Sequence, residues 1–202
     1  MNVLGDGRTP DSRSSVERAV QLTRAVARGG ARLVQLRAKD LPAGPFTELA
    51  ARLVSEPGTS RCRLIVNDRV DVALAAGAAG VHLGDEDLDP RRAREILGRD
   101  ALIGYSTHSP PEAEAASALP VDYLGFGPVF ESPTKAGVRS ARGLDQLAAA
   151  CSSTHLPVVA IGGVTRLTAP PAIAAGATSV AVIRELEDAD DPEALARLYG
   201  KL

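Results

Sequence analysis

Several short stretches of this chain carry side chains suited to holding anions and a hard cation. In Gln35-Leu36-Arg37-Ala38-Lys39 the polar residues alternate, so an extended backbone aims Gln35, Arg37 and Lys39 to one side. Arg37, Lys39 and Lys135 supply positive charge, Gln35 and Asn67 supply neutral donors, and Ser132 and Thr134 add hydroxyls next to Lys135. That set fits a polyphosphate, which takes forked guanidinium contacts, point-charge ammonium contacts and short hydroxyl donors. Asp68 and Asp87 are two carboxylates of the kind Mg²⁺ accepts, because that ion keeps several waters and needs only one or two protein carboxylates. Gly162-Gly163 offers backbone N–H groups with no side chain in the way, which suits a monophosphate. The residues therefore read as two phosphate pockets and a metal. Gln35 and Arg37 interrupt a stretch that could have stayed apolar, and buried charge is costly unless paired or liganded. Ordinary loop polarity does not account for them.

Elements of the right kind exist to position these residues. Short apolar, often β-branched runs lie at 32–36, 64–66, 80–83, 102–105, 123–126, 157–161 and 179–183, with a weaker one at Val3-Leu4. Such runs suit a parallel sheet covered on both faces. Ala-rich helical stretches separate them. Ser14 stands three residues before Glu17, a capping-box spacing that opens a helix toward Ala27. Asp89-Pro90, Pro110-Pro111-Glu112 and Asp191-Pro192 mark three further helix starts. Gly77 and Gly176 each follow an Ala-rich helix and turn the chain into the next strand. Eight strand–helix units in 202 residues, about 25 each, predict a single α/β domain over 1–202, a (β/α)₈ TIM barrel of the small kind. The alternative, an open doubly wound sheet, needs a Gly-rich loop after its first strand, and none is present. In a barrel the chemistry sits just past the C-terminal strand ends, and the polar stretches fall there. They include Ser106-Thr107-His108 after the fifth strand and Arg184 after the eighth.

Composition narrows the classes further. Apolar residues make up 45% and charged residues 24%, which is globular, while aromatics are 3% with no Trp, so Ala, Val, Leu and Ile build the core. A net charge of −2 gives no basic field for nucleic acid. No apolar run approaches the roughly 20 residues of a membrane span. The N-terminal stretch lacks a signal-peptide pattern, so a cytoplasmic protein is expected. Cys62 and Cys151 stand in no metal-ligand spacing and read as reduced packing thiols.

Residues Leu64 to Gly84, LIVNDRVDVALAAGAAGVHLG, closely resemble the thiamine-phosphate synthase family. So do Val34-Gln35-Leu36-Arg37 with Lys39, Gly104 to His108, Gly125 to Phe130 with Thr134-Lys135, and Val159 to Gly163. The resemblance spans about residues 33 to 183. It implies the barrel and a reaction that joins hydroxymethylpyrimidine pyrophosphate to thiazole phosphate, giving thiamine phosphate and pyrophosphate. Pyrophosphate leaves first, and the thiazole nitrogen captures the pyrimidine methylene cation. By the same resemblance Gln35, Arg37, Lys39, Asn67 and Lys135 contact the pyrophosphate-bearing substrate, and Asp68 and Asp87 hold Mg²⁺. Ser106 sits near the pyrimidine and leaving group, Ser132 and Thr134 lie by the thiazole phosphate, and Gly163 binds that phosphate through its backbone. Arg37, Lys39, Ser106 and Lys135 are the residues implied in catalysis.

The chain departs from the family pattern at several places. Ala38 replaces a Glu, Asp85 a Gln and Arg184 a Ser, and Arg166 to Pro171 run where an Asn is usual. Arg184 is read as a replacement phosphate ligand, with pairing to Glu185 or Glu187 as the alternative. Other readings are a thiazole tautomerase, whose members carry a His where Pro128 stands, a Schiff-base aldolase using Lys135, and a non-catalytic paralogue that binds a thiamine precursor. His82 and His108 read as orienting rim loops, and His155 as solvated. The partners expected are phosphorylated small molecules, with a homodimer as one assembly the sequence leaves open.

Overall fold

The computed structural model describes residues 2–4, 13–56, 58–59, 61–131 and 140–202, and for 2–4 and 13–15 the backbone alone. Strands and helices alternate throughout. β1 (Asn2–Leu4) leads to α1 (Arg13–Arg28), β2 (Leu33–Leu36) to α2 (Ala43–Val54), β3 (Arg63–Asn67) to α3 (Val70–Ala76) and β4 (Gly80–Leu83) to α4 (Pro90–Leu97). β5 (Leu102–Thr107) leads to α5 (Pro110–Ala116), β6 (Tyr123–Phe126) to α6 (Gly143–Ser153) and β7 (Val158–Ala160) to α7 (Ala169–Ala174). β8 (Ser179–Val180) is followed by α8 (Arg184–Glu187) and α9 (Pro192–Tyr199). The strands form one parallel sheet in chain order, β1 to β8. This is a TIM-barrel-like fold, and the order excludes the doubly wound alternative, in which strand order reverses at the sheet centre.

Three of the expected helix starts are capped by side chains. Asp89 Oδ1 accepts from Arg91 N at 2.7 Å, and Asp191 Oδ1 accepts from Ala194 N at 2.9 Å, each with Pro at the first helical position. At α5 the cap is Ser109, just ahead of the two prolines, and its hydroxyl also donates to Glu112 at 2.9 Å. Gly77 ends α3 at φ 65°, as its position predicts. The capping box at Ser14 is corrected: α1 already includes Arg13, so Ser14 lies inside the first turn. The eighth strand is also shorter than expected. Its ladder holds Ser179 and Val180 with an isolated bridge at Val182, because Ile183 turns at φ −119°, ψ −81° into α8.

Register divides the strand residues into two sets. Val34, Leu36, Val66, Val81, Leu83, Ile103, Leu124, Phe126, Val158 and Ala160 face the helices and belong to the large apolar core. The alternate positions face the concave side. Gln35 pairs with Ile65, Asn67 with His82, His82 with Gly104, Gly104 with Tyr123, and Ser106 with Gly125. Their apolar members, Ile65, Tyr123, Val159 and Ala181, form a separate small cluster. The layer of helices returns on itself, since α1 packs against α9 and Arg28 Nε donates to Glu193 Oε2 at 2.8 Å. Stability is thus concentrated in the outer layer, and polar groups are gathered on the inner face.

Candidate active site

Gln35, Asn67, His82 and Ser106 all project to the inner face, and the last three rise toward the C-terminal rim. Gln35 is buried and its Nε2 has no hydrogen-bond partner among the described residues. A buried amide left unpaired is costly, and a ligand oxygen would satisfy it. Arg37 follows on the same side of the chain, half-buried, and Lys39 is exposed beyond it. Ala38, Lys39, Phe46, Asn67, Asp68 and Arg69 line a rim cavity of about 180 Å³.

Asp68 is held in an unusual way. Its φ is 64°, in the left-handed region, and it has the one positive φ among the described residues other than glycine. Its N–H donates to His82 O at 2.8 Å, which ties this turn to β4. Lys39 Nζ lies 4.0 Å from Asp68 Oδ2. The Asp87 carboxyl lies within hydrogen-bonding reach of Asp68 and also accepts from Gly84 N at 2.7 Å. Burial, then the neighbouring Asp87, pushes the Asp68 carboxyl up to about 6, against the pull of Lys39 and Arg37. Two carboxyls crowded together repel unless a proton or a cation sits between them. The pair therefore fits a hard divalent ion with an all-oxygen, water-rich shell, of which Mg²⁺ is the expected case. Among the described residues no third carboxylate, His or Cys joins them.

Behind the rim runs a chain of hydrogen bonds. His82 Nδ1 lies 2.9 Å from the Tyr123 hydroxyl, and His82 Nε2 lies 2.9 Å from Ser106 Oγ. Burial lowers the imidazole pKa to about 4, against a weak pull from Asp87, so the ring is neutral near pH 7. Burial raises the Tyr123 phenol, which keeps its proton. Space for this arrangement comes from Gly104, where a Cβ would lie 2.1 Å from Tyr123 Cζ and 2.4 Å from His82 Nδ1. The expectation that His82 orients a rim loop is corrected: its ring faces inward and holds Ser106. His108 does serve a loop, with Nδ1 donating to Gly127 O at 2.6 Å, and His155 is exposed. Cys62 and Cys151 are free and half-buried. Sequence reasoning missed Tyr123. Its signal was a Tyr at the inward position opposite Gly104, which only the register reveals.

At the other side of the rim, Gly162 and Gly163 have φ of 85° and 65°. A Cβ at Gly163 would lie 2.5 Å from Glu131 O and 2.7 Å from Phe130 O, so the loop after β6 packs onto this glycine. Phe130 N donates to Gly162 O at 3.1 Å. The Gly-Gly pair therefore admits that loop. Arg184 is the first residue of α8, exposed, and pairs with no described residue. Glu185, one of its expected alternatives, is taken by the Tyr199 hydroxyl and by Arg166 N at 2.8 Å. Ser132, Thr134 and Lys135 lie outside the described residues. Arg142 has a buried Nε with no partner among the described residues.

Comparison with known proteins decides the family. The thiamine monophosphate synthase family model matches residues 9–186. The chain belongs to that family. A thiamine-phosphate synthase of Anaeromyxobacter dehalogenans is 46% identical over 177 residues, 88% of this chain and 79% of that protein. One of Chlorobium limicola is 40% identical over 189 residues, 94% of this chain and 88% of that one. A thiamine phosphate pyrophosphorylase structure from Pyrococcus furiosus superposes with TM-score 0.84 at 33% identity, over 99% of this chain and 93% of the other. Family membership thus extends over the whole inner rim described above.

Proposed function

We propose that this chain is a Mg²⁺-dependent thiamine-phosphate synthase, a transferase acting on hydroxymethylpyrimidine pyrophosphate and thiazole phosphate. The observation that carries the reading is the rim itself. Gln35, whose Nε2 has no partner among the described residues, and Ser106 share the inner face with Asn67, and Asn67 and Lys39 line the rim beside a crowded Asp68–Asp87 pair, within a chain of this family. In the reaction the C–O bond to pyrophosphate breaks and its electron pair departs with the leaving group. The thiazole nitrogen then supplies a pair to the methylene carbon. No protein nucleophile is needed, so the residues act by holding and by neutralising charge.

Asp68 and Asp87 would hold the ion, which supplies charge neutralisation at the departing pyrophosphate when bound. Arg37 and Lys39 add fixed positive charge at the same edge, and Lys135 is assigned to it by family resemblance. Gln35 and Asn67 donate to the pyrimidine pyrophosphate, and Ser106 to its leaving-group end. Gly163 N–H and Arg184 take the thiazole phosphate, with Ser132 and Thr134 as hydroxyl partners. Chain-order pairing and the α1–α9 contact support a closed (β/α)₈ barrel around this site. Phosphorylated precursors do not cross membranes unaided, which supports the reading of a cytoplasmic reaction. The test is turnover with both precursors, with and without Mg²⁺. Formation of thiamine phosphate only when the ion is present is expected, and its absence from the purified chain under all conditions would overturn the reading.

A further inference from the structure

We propose that Tyr123 and His82 are positioning residues that fix Ser106 as a hydrogen-bond donor toward the departing pyrophosphate. This rests on the synthase reading above. The three groups form one continuous chain, Tyr123 Oη to His82 Nδ1 and His82 Nε2 to Ser106 Oγ, both links 2.9 Å. Such a chain has two polarities. In one, the phenol donates to Nδ1, Nε2–H donates to Ser106 Oγ, and the serine proton is left to point at the rim. In the other, the serine spends its proton on Nε2, Nδ1–H donates to the phenol, and only serine lone pairs face the site.

The first polarity matches the chemistry. The leaving group is rich in anionic oxygens and needs donors, while lone pairs turned toward it repel. Both Tyr123 and His82 lie in the buried inner wall. In this polarity a single imidazole tautomer holds the whole chain in register. Gly104 supports this use of the space. A Cβ there would collide with both Tyr123 and His82, so the chain is built at the expense of a side chain on β5. No step is asked of His82 itself. It transfers no proton and touches no substrate, and its effect passes through the Ser106 hydroxyl.

The experiment joins spectroscopy to kinetics. Long-range ¹H–¹⁵N correlation of the His82 ring, assigned with His82→Gln, reports which nitrogen carries the proton. The expected state is Nε2–H, and an Nδ1–H ring would overturn the proposal. Tyr123→Phe keeps the ring and removes its donor, so the serine proton can turn back to the imidazole. Its kcat should fall about 10- to 100-fold with KM for the pyrimidine pyrophosphate nearly unchanged, as for a hydrogen bond to a charged group made in the transition state. His82→Gln, which can still donate to Ser106, should retain more activity than His82→Leu. Wild-type kcat in Tyr123→Phe would overturn the proposal. An Nε2–H ring in a wild-type chain with no turnover would leave the hydrogen-bond chain standing and overturn the synthase reading instead.

Discussion

Asp68 and Asp87 lie on separate turns yet share one small volume, and each contributes what the other lacks. Asp68 is aimed by a left-handed backbone and Asp87 by the Gly84 N–H. Asp68→Asn and Asp87→Asn keep size and remove charge, so each should lower Mg²⁺-dependent turnover at least about 100-fold with near-UV circular dichroism unchanged. Full activity in both would remove the metal assignment. Arg184 can be tested on its own. A charged hydrogen bond contributes roughly 1.5–3 kcal/mol, so Arg184→Ser should weaken thiazole-phosphate binding about ten- to a hundredfold in calorimetry. Binding of the pyrimidine pyrophosphate should stay as in wild type. The polar members of the site were legible in the sequence because each interrupts an apolar strand or stands just past one, as Gln35, Asn67 and Asp68 do. Tyr123 was not. A tyrosine in an apolar run looks like core, and its partner His82 is 41 residues away, so only the pairing of β4, β5 and β6 brings them together.

At the scale of elements, the same three strands show why glycine recurs on the inner face. Gly104 and Gly125 leave room for the His82 ring between them. Gly104→Ala must displace Tyr123 or His82. Overpacking of that kind costs about 1–3 kcal/mol, read by urea unfolding, and turnover should fall with it because the Ser106 contact moves. The helix starts provide a contrasting case. Asp89 caps α4 from an exposed position, so Asp89→Ala should cost about 1 kcal/mol of stability, read by urea unfolding. Strand and helix order was readable from alternation alone. Element ends were less so, as the misplaced cap at Ser14 and the early end of β8 show. Boundaries there depend on how the chain enters the next element, a tertiary matter that local residue types do not encode.

Across the whole molecule, the outer layer and the inner face respond differently to pH. His82 is buried, with its pKa lowered from about 6.5 in the unfolded chain to about 4 in the fold. Between those values the unfolded state binds more protons, so acid favours unfolding. The His82 contribution is fully present above pH 6.5 and is lost as pH falls toward 4, a swing of about 3 kcal/mol. Asp68 acts in the opposite sense, since its raised pKa lets the fold take up a proton as pH falls through 6. The difference between wild type and His82→Gln isolates the histidine. Their gap in urea-unfolding free energy should move in favour of His82→Gln by about 3 kcal/mol from pH 7 to pH 4. A constant gap would show that the imidazole is not closed off. Outer-layer truncations carry no such signature. Leu147→Ala, in the buried helix–sheet layer, should cost about 2–5 kcal/mol at either pH.

The left-handed backbone at Asp68 places a proposed metal ligand where it works against the fold. The residue carries backbone strain of about 1 kcal/mol or more, a partly buried charge and a like-charged neighbour. Asp68→Gly removes all three burdens. Without added metal it should therefore melt at a higher temperature than wild type, with turnover lost. Adding Mg²⁺ should raise the melting temperature of wild type and leave that of Asp68→Gly where it was. Random mutagenesis screened for heat resistance alone would then gather inactive variants at this one position, whereas a screen that includes the ion would not.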